Sequence, residues 1–338
     1  MMTLKLEVVD PGTLTSVADI SDMLVYDTSD SIKWGLDDET ALSGTIHYLA
    51  GRSWDSELVR LSRVDEDSVT VLGTAYAIPS SHEMIGSLHA GSISLMGTPL
   101  ALRSTLIPSP YLVSSAPLDT ILMQACDIAG MRFESNPDMS ESAVSELQIF
   151  EAGTSCLSIA QAAAERVGGK ISQTSTGEIV VRVPRVTGAQ ESWTNRAGSA
   201  DITSAISKST TRYDTPTRLI AAYTGAGDNA EFMSTIIELE SSHDSTRHRD
   251  VMLSVSDLES PSREQLLARA ERYVEESLSP VLTDEWSFDS VWKHVSIGET
   301  VTVEDADNSE TLTGYITSMS ISLAPGTPMS VTVRGVVS

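Results

Sequence analysis

The sequence predicts an α+β, mainly β protein, in which two β-rich domains are separated by a small unit of helices and a hairpin. Three observations carry that expectation. Short, β-branched, alternating runs recur through residues 1–105 and again through residues 189–338. Between them prolines cluster at Pro99, Pro108, Pro110 and Pro117, which interrupts strand pairing and sets a boundary near residue 105. Two small-residue amphipathic segments follow, each ended by glycine.

With 338 residues, of which 41% are hydrophobic and 20% charged, the chain can bury a core without staples. Cys126 and Cys156 are too few for a disulfide framework, and the start MMTLKLEVVDPG lacks the basic and apolar regions of a signal peptide. Synthesis in a reducing cytosol is expected. No apolar run approaches the roughly 18 residues that span a bilayer, so no membrane anchor is expected. A formal net charge of -25 repels phosphate backbones, which speaks against sequence-specific nucleic-acid binding.

In the first domain, strands are expected at Ile20 to Val25, Ser31 to Gly35, Leu42 to Leu49 and Ser92 to Leu102. Leu58, Val64, Val69 and Val71 alternate on either side of Asp65-Glu66-Asp67, which reads as a hairpin with an acidic turn. The unit 106–188 holds two helices. Ser115 is the candidate N-cap of the first, whose face is Leu118, Ile121, Leu122, Ala125 and Ala129. The second repeats that spacing in Cys156, Ile159, Ala160, Ala163 and Val167, then runs through GGKISQTSTGEIVVRVP, a hairpin turning at Ser175-Thr176-Gly177 and closed by Pro184.

The third region, 189–338, contains one more helix, 262–278, with a capping-box pattern from Ser262 to Gln265 and a stripe of Leu266, Leu267, Ala270, Val274 and Leu278. Part of 189–212 is allowed a return to the first domain. Four strands close the chain: Val281 to Phe288, Glu299 to Val303, Thr311 to Leu323 and Met329 to Gly335. The last two form a hairpin around Pro325-Gly326-Thr327, with Tyr315, Met319, Ile321 and Leu323 on one face.

Candidate chemistry is sparse. GAGDNA at 225–230 fits a dinucleotide-binding pattern, but EFMSTIIEL after it alternates like a strand where a Rossmann site needs a helix. HDSTRHRD at 243–250 brings His243, Asp244, His248 and Asp250 together at a spacing that suits a solvated loop better than a metal site. EDADNSE offers Asp305, Asp307 and Glu310 as weak cation candidates, without the glycine and distant glutamate of an EF-hand. No nucleophile elbow or activated thiol stands out, so no catalytic or cofactor-binding residue is assigned and no cofactor is expected.

The order of elements resembles the baseplate hub and tail-associated minor tail proteins of long-tailed bacteriophages. The resemblance is carried by SCLSIAQAAAERVGGKISQTSTGEIVVRVP, TPTRLIAAYTG, EQLLARAERYVEESL, HVSIGETVTVED and ITSMSISLAPGTPMSVTVRG, with Glu299 where aspartate is commoner. It implies two tail-tube-like β-barrel domains, 1–105 and 189–338, with the α/β insertion 106–188 at the periphery. It further implies a homotrimer whose six barrels adapt a sixfold tube to a threefold tip and surround part of a DNA exit channel. The implied partners are a distal tail protein or tail tube above, tip or fibre proteins below, and a tape-measure protein. The implied location is the virion, after assembly in the host cytoplasm. Two other classes compete with this one, a tail-tip hydrolase acting on the host envelope and a receptor-binding adhesin. An adhesin needs an aromatic platform, and Trp34, Trp54, Trp193, Trp286 and Trp292 are scattered.

Overall fold

Strand alternation builds the N-terminal half. The computed structural model describes residues 3–25, 27–36, 39–50, 57–64, 68–113, 116–136, 148–184, 186, 188–198, 200–210, 218–224, 232–239, 250–255, 263–274, 284–324 and 327–337. Its first nine strands are β1 (Thr3–Val9), β2 (Ser16–Asp19), β3 (Leu24–Val25), β4 (Ser31–Gly35), β5 (Leu42–Ala50), β6 (Glu57–Val64), β7 (Val69–Pro79), β8 (Glu83–Ile85) and β9 (Leu88–Gly97). They pair in the order β4-β5-β9-β7-β6-β1-β2, with β3 on β5 and β8 on β9. In β5, Leu42, Ile46, Tyr48 and Ala50 turn inward at the strand period of two. β6 and β7 form the expected hairpin, whose acidic turn 65–67 lies outside the described residues.

Two expectations are corrected here. Half of residues 20–25 form a 3-10 turn, Ser21–Met23, and only Leu24 and Val25 pair with β5. The strand expected to reach Leu102 ends at Gly97, and helix α1 (Pro99–Ser104) follows. Pro99 opens this helix, because the first turn needs no N–H from it and its φ is already helical.

The next elements are β10 (Tyr111–Val113), α2 (Leu118–Ile128), β11 (Phe133–Glu134), β12 (Gln148–Phe150), α3 (Cys156–Glu165), β13 (Lys170–Gln173) and β14 (Ile179–Arg182). α2 and α3 pack together around Leu118, Ile121, Leu122, Ala125, Cys156, Ile159, Ala160 and Ala163, joined by Ile171, Ile179 and Val181 from the hairpin. The two helical faces read from the sequence therefore meet each other. Ser115 lies outside the described residues, and Pro117 occupies the N-cap of α2. Ser155 caps α3, its Oγ accepting the Ser158 N–H at 3.1 Å. Ser155→Ala is expected to cost about 1 kcal/mol in denaturant unfolding. Equal losses from Ser155→Ala and Ser158→Ala would show that the cap is not what stabilises this end.

The remaining elements are β15 (Glu191–Thr194), β16 (Ser207–Thr210), β17 (Arg218–Thr224), β18 (Phe232–Glu238), β19 (Asp250–Val255), α4 (Arg263–Tyr273), β20 (Asp284–Ser290), β21 (Thr300–Asp305), β22 (Glu310–Ser322) and β23 (Met329–Val337). β15 runs parallel to β21, and β16 pairs with β20, so residues 191–194 and 207–210 lie beside C-terminal strands. β16 and β20 are neighbours in the sheet although 218–274 lies between them in the chain. That excursion makes its own sheet, β18-β17-β19, with α4 against one face. Helix α4 thus packs on Leu219, Ala221 and Tyr223, and its described extent is shorter than the expected 262–278. Ser262 and the turn residues 325–326 are outside the described residues.

β22 joins the two halves. One edge pairs with β23 throughout; the other pairs first with β21 and then, from Ser318 to Ser322, with β4. Fifteen of the described strands form one open sheet that takes in both halves, and no sheet among the described residues closes on itself. One buried cluster runs through both halves, from Leu6 and Ile46 to Trp193, Ile316 and Val333. A register shift between Ile316 and Ser318 leaves Thr317 as an extra residue. Alternation steps by one there, so Met319 and Ile321 continue the face of Leu312 and Ile316, and Tyr315 is opposite Arg334 on the other face. The four residues expected on one face are all buried, but they do not form one uninterrupted alternation.

Candidate functional site

The two thiols sit where the apolar spacing put them. Cys126 and Cys156 are fully buried between α2 and α3. Burial pushes the Cys126 thiol up to about 12, with Asp127 and Cys156 adding to it, and burial raises Cys156 as well. A thiol held protonated in this way is a packing group and a poor nucleophile.

The acidic loop is brought together by the fold, around a cation of the chain's own. Lys208 of β16 donates to Asp305 and, at 2.7 Å, to Glu310 Oε2. Asn195, just after β15, donates to Asp305 Oδ1 at 3.0 Å and to Asp307 Oδ2 at 3.3 Å, and its own oxygen accepts the Ala306 N–H at 2.7 Å. The Lys208 ammonium also lies 4.4 Å from the Trp286 ring. Asp305, Asp307 and Glu310 therefore form a clasp across β15, β16, β21 and β22, with the ammonium where the sequence suggests a bound cation. Of the other polar motif, residues 243–249 lie outside the described residues, as do 225–230.

A second arrangement has no counterpart among the motifs read from the sequence. The hairpin β13–β14 is plugged by its turn into the N-terminal half. Gln173 Oε1 accepts the Thr98 N–H at 2.6 Å, and Gln173 Nε2 donates to the Thr74 carbonyl at 2.8 Å. Thr74 Oγ1 donates to the Ser175 carbonyl at 3.0 Å, and Arg60 Nη2 to the Thr176 carbonyl at 3.2 Å. Gly177 sits at φ +104°, and a Cβ there would come within 3.0 Å of Thr74. The ribbon thus fastens helices α2 and α3 to β6, β7 and the residue that follows β9. Polar spacing in SQTSTGE is the only signal of it in the sequence.

Assembly surfaces are the remaining candidates. On the sheet of β17, β18 and β19, α4 covers one side, while Phe232, Ile236 and Met252 are exposed on the other; Ile220 pairs with both Ile236 and Met252. The ribbon of β10 and β12 exposes Leu112 and Ile149, which are cross-strand partners. Contiguous exposed apolar groups of this kind mark contact surfaces. Among the described residues the tryptophans form no platform: Trp34, Trp193 and Trp286 are buried and Trp292 packs against the core under Arg63; Trp54 lies outside the described residues.

No protein-family model matches this chain, and no curated protein matches it either. Solved structures do. A 43 kDa tail protein of prophage MuSo2 from Shewanella oneidensis superposes with a TM-score of 0.69 at 12% identity, covering 99% of this chain and 98% of that one. A tail protein from Neisseria meningitidis MC58 gives 0.66 at 11% identity, covering 99% and 96%. The prophage tail protein gp18 of Listeria monocytogenes EGD-e gives 0.59 at 12% identity, covering 98% and 94%. At such identities the likeness is one of fold, and it extends from end to end: the chain has the fold of these phage tail proteins.

Proposed function

We propose that the protein is a structural component of a bacteriophage tail, the hub of its tip or baseplate. One observation supports this above the others: the match to tail proteins takes in 99% of this chain and nearly all of theirs. In this reading 1–105 and 189–338 are the tube-like units, 106–188 is a peripheral insertion, and the protein is not an enzyme. Three copies present six units, adapting a sixfold tube to a threefold tip, and surround part of the DNA exit channel. The tail tube or a distal tail protein lies above, tip or fibre proteins lie below, and a tape-measure protein passes the ring. The net charge of -25 keeps DNA from adhering to such a wall. Arg263 and Arg269, on the exposed side of α4, fit basic groups kept off that wall.

The test is oligomeric state. Light scattering is expected to give three times the 36.2 kDa chain mass, for the protein alone or mixed with its adjoining tail proteins. Monomer under both conditions would sink the hub. Cleavage of peptidoglycan by the pure protein, lost on removing one carboxylate, would move the assignment to a hydrolase.

A further inference from the structure

A pair of imidazoles beside β8 and β9 plays no part in any of this. In that hairpin Glu83 is opposite Ala90 and Met84 opposite His89. His82, one residue before β8, therefore stands diagonally across from His89 on the same face. The ring centroids are 4.9 Å apart, and His82 Nε2 is 3.3 Å from His89 Nδ1. On the far side of β9, Tyr48 of β5 is opposite Gly91. A Cβ on Gly91 would stand 3.1 Å from Tyr48 Cε1 and 2.1 Å from the Ser81 carbonyl oxygen. Its absence lets the Tyr48 hydroxyl cross to His82 Nδ1, 3.4 Å away. Tyr48 is buried, and the imidazoles lie at the surface. Three strands and a glycine thus hold the two rings together.

We propose that His82 Nε2 and His89 Nδ1 form a two-ligand site for a divalent transition-metal ion of the copper, nickel and zinc class. Imidazole nitrogens bind such ions at about 2.0–2.1 Å, so two on one ion lie roughly 2.9 Å apart at a right angle and roughly 3.3 Å apart at a tetrahedral angle. The observed separation falls at the tetrahedral value. The two rings are stacked, with 25° between their planes, so metal binding requires rotation about the broad χ2 torsions to bring both lone pairs to one point. In the metal-bound form the Tyr48 hydroxyl, 3.4 Å from His82 Nδ1, would accept the Nδ1–H and leave the Nε2 lone pair facing His89. His89 then carries its proton on Nε2. Nitrogen-only ligation favours copper, nickel and zinc over calcium or magnesium, which take oxygen ligands. Among the described residues no group of three or more histidines, cysteines or carboxylates is placed to hold a metal ion, and in this proposal water fills the positions that the two imidazoles leave.

The test is titration of the full chain with nickel chloride and copper chloride by calorimetry, with electron paramagnetic resonance of the copper-loaded protein. His82→Ala and His89→Ala are each expected to weaken the tightest site about tenfold or more, and the double variant no further than either single one. Tyr48→Phe keeps both ligands and should weaken it less. His294→Ala should leave it unchanged, and calcium chloride should not compete. Circular dichroism checks each variant's fold, with His82→Asn as the substitute if His82→Ala misfolds. A tightest site that survives in the double variant, or single variants whose losses add as independent sites, would overturn the proposal.

Discussion

Trp193→Ala is expected to lower the free energy of unfolding by about 3–5 kcal/mol, a large effect for a single truncation. β15 has four residues, and Trp193 is the one that is buried. It is 1% exposed, meets Phe288 edge-on at 5.6 Å and carries the Lys293 ammonium 5.3 Å from its ring. Without the indole, β15 loses its one buried side chain and is left with its backbone pairing to β21, the polar contacts of Thr194 to Glu304 and Asp201, and that of Lys293 to the Ser192 carbonyl. The indole Nε1 makes no hydrogen bond among the described residues. Trp193→Phe should therefore recover much of the loss, since it restores apolar area and sacrifices no polar contact. Guanidinium unfolding followed by circular dichroism checks both variants. A loss below about 1 kcal/mol for alanine would mean that β15 is not pinned by its tryptophan.

What is legible in the sequence is local. The face of α3 reads directly from Cys156, Ile159, Ala160 and Ala163, because a helix repeats its buried positions at a fixed period. β4 has the bounds its alternation and flanking polar residues indicate. Helix α1 escapes such a reading because the apolar run through residue 102 continues the strand pattern, and Pro99 suits a strand breaker and a helix start equally well. The bulge at Thr317 escapes it for a related reason: a single extra residue changes which side chains share a face, and nothing local to ITSMSIS announces it.

Partnership between distant segments is not legible at all. β22 meets β4, from the other end of the chain, and that pairing merges the two halves into one sheet with one core. The stripe of α4 says that the helix packs but not on what, and the sequence alone groups it with the C-terminal strands instead of the separate sheet it covers. The side chain that settles the acidic loop, Lys208, is 97 residues from Asp305. Carboxylates at the spacing of Asp305, Asp307 and Glu310 look the same whether a metal ion or a lysine will arrive.

That clasp carries the strongest pH dependence. Asp305 has a side chain only 4% exposed. Burial alone would push its pKa up; hydrogen bonds from Asn308, Lys208 and Asn195, and the charge of Lys208, outweigh burial and bring it down to about 2. The folded-state value is thus below the unfolded one of 3.8. Its contribution is therefore complete above pH ~4 and is lost as pH falls towards ~2, and a displacement of this size corresponds to about 2 kcal/mol. Asp305→Asn keeps the shape and removes the charge, so at neutral pH it should be less stable by about that amount. Glu310 remains to pair with Lys208, which limits the loss. Glu7, Asp10, Asp19, Asp27 and Glu178 are also held low, so the wild type keeps some acid sensitivity from them. The informative quantity is consequently the difference between the two unfolding curves: constant above pH ~4, shrinking below it and closing near pH ~2. A difference that stays constant down to pH ~2 would mean that Asp305 is not a titrating group in the fold. In that case the contacts across β15, β16, β21 and β22 would owe their strength to hydrogen-bond geometry and not to charge.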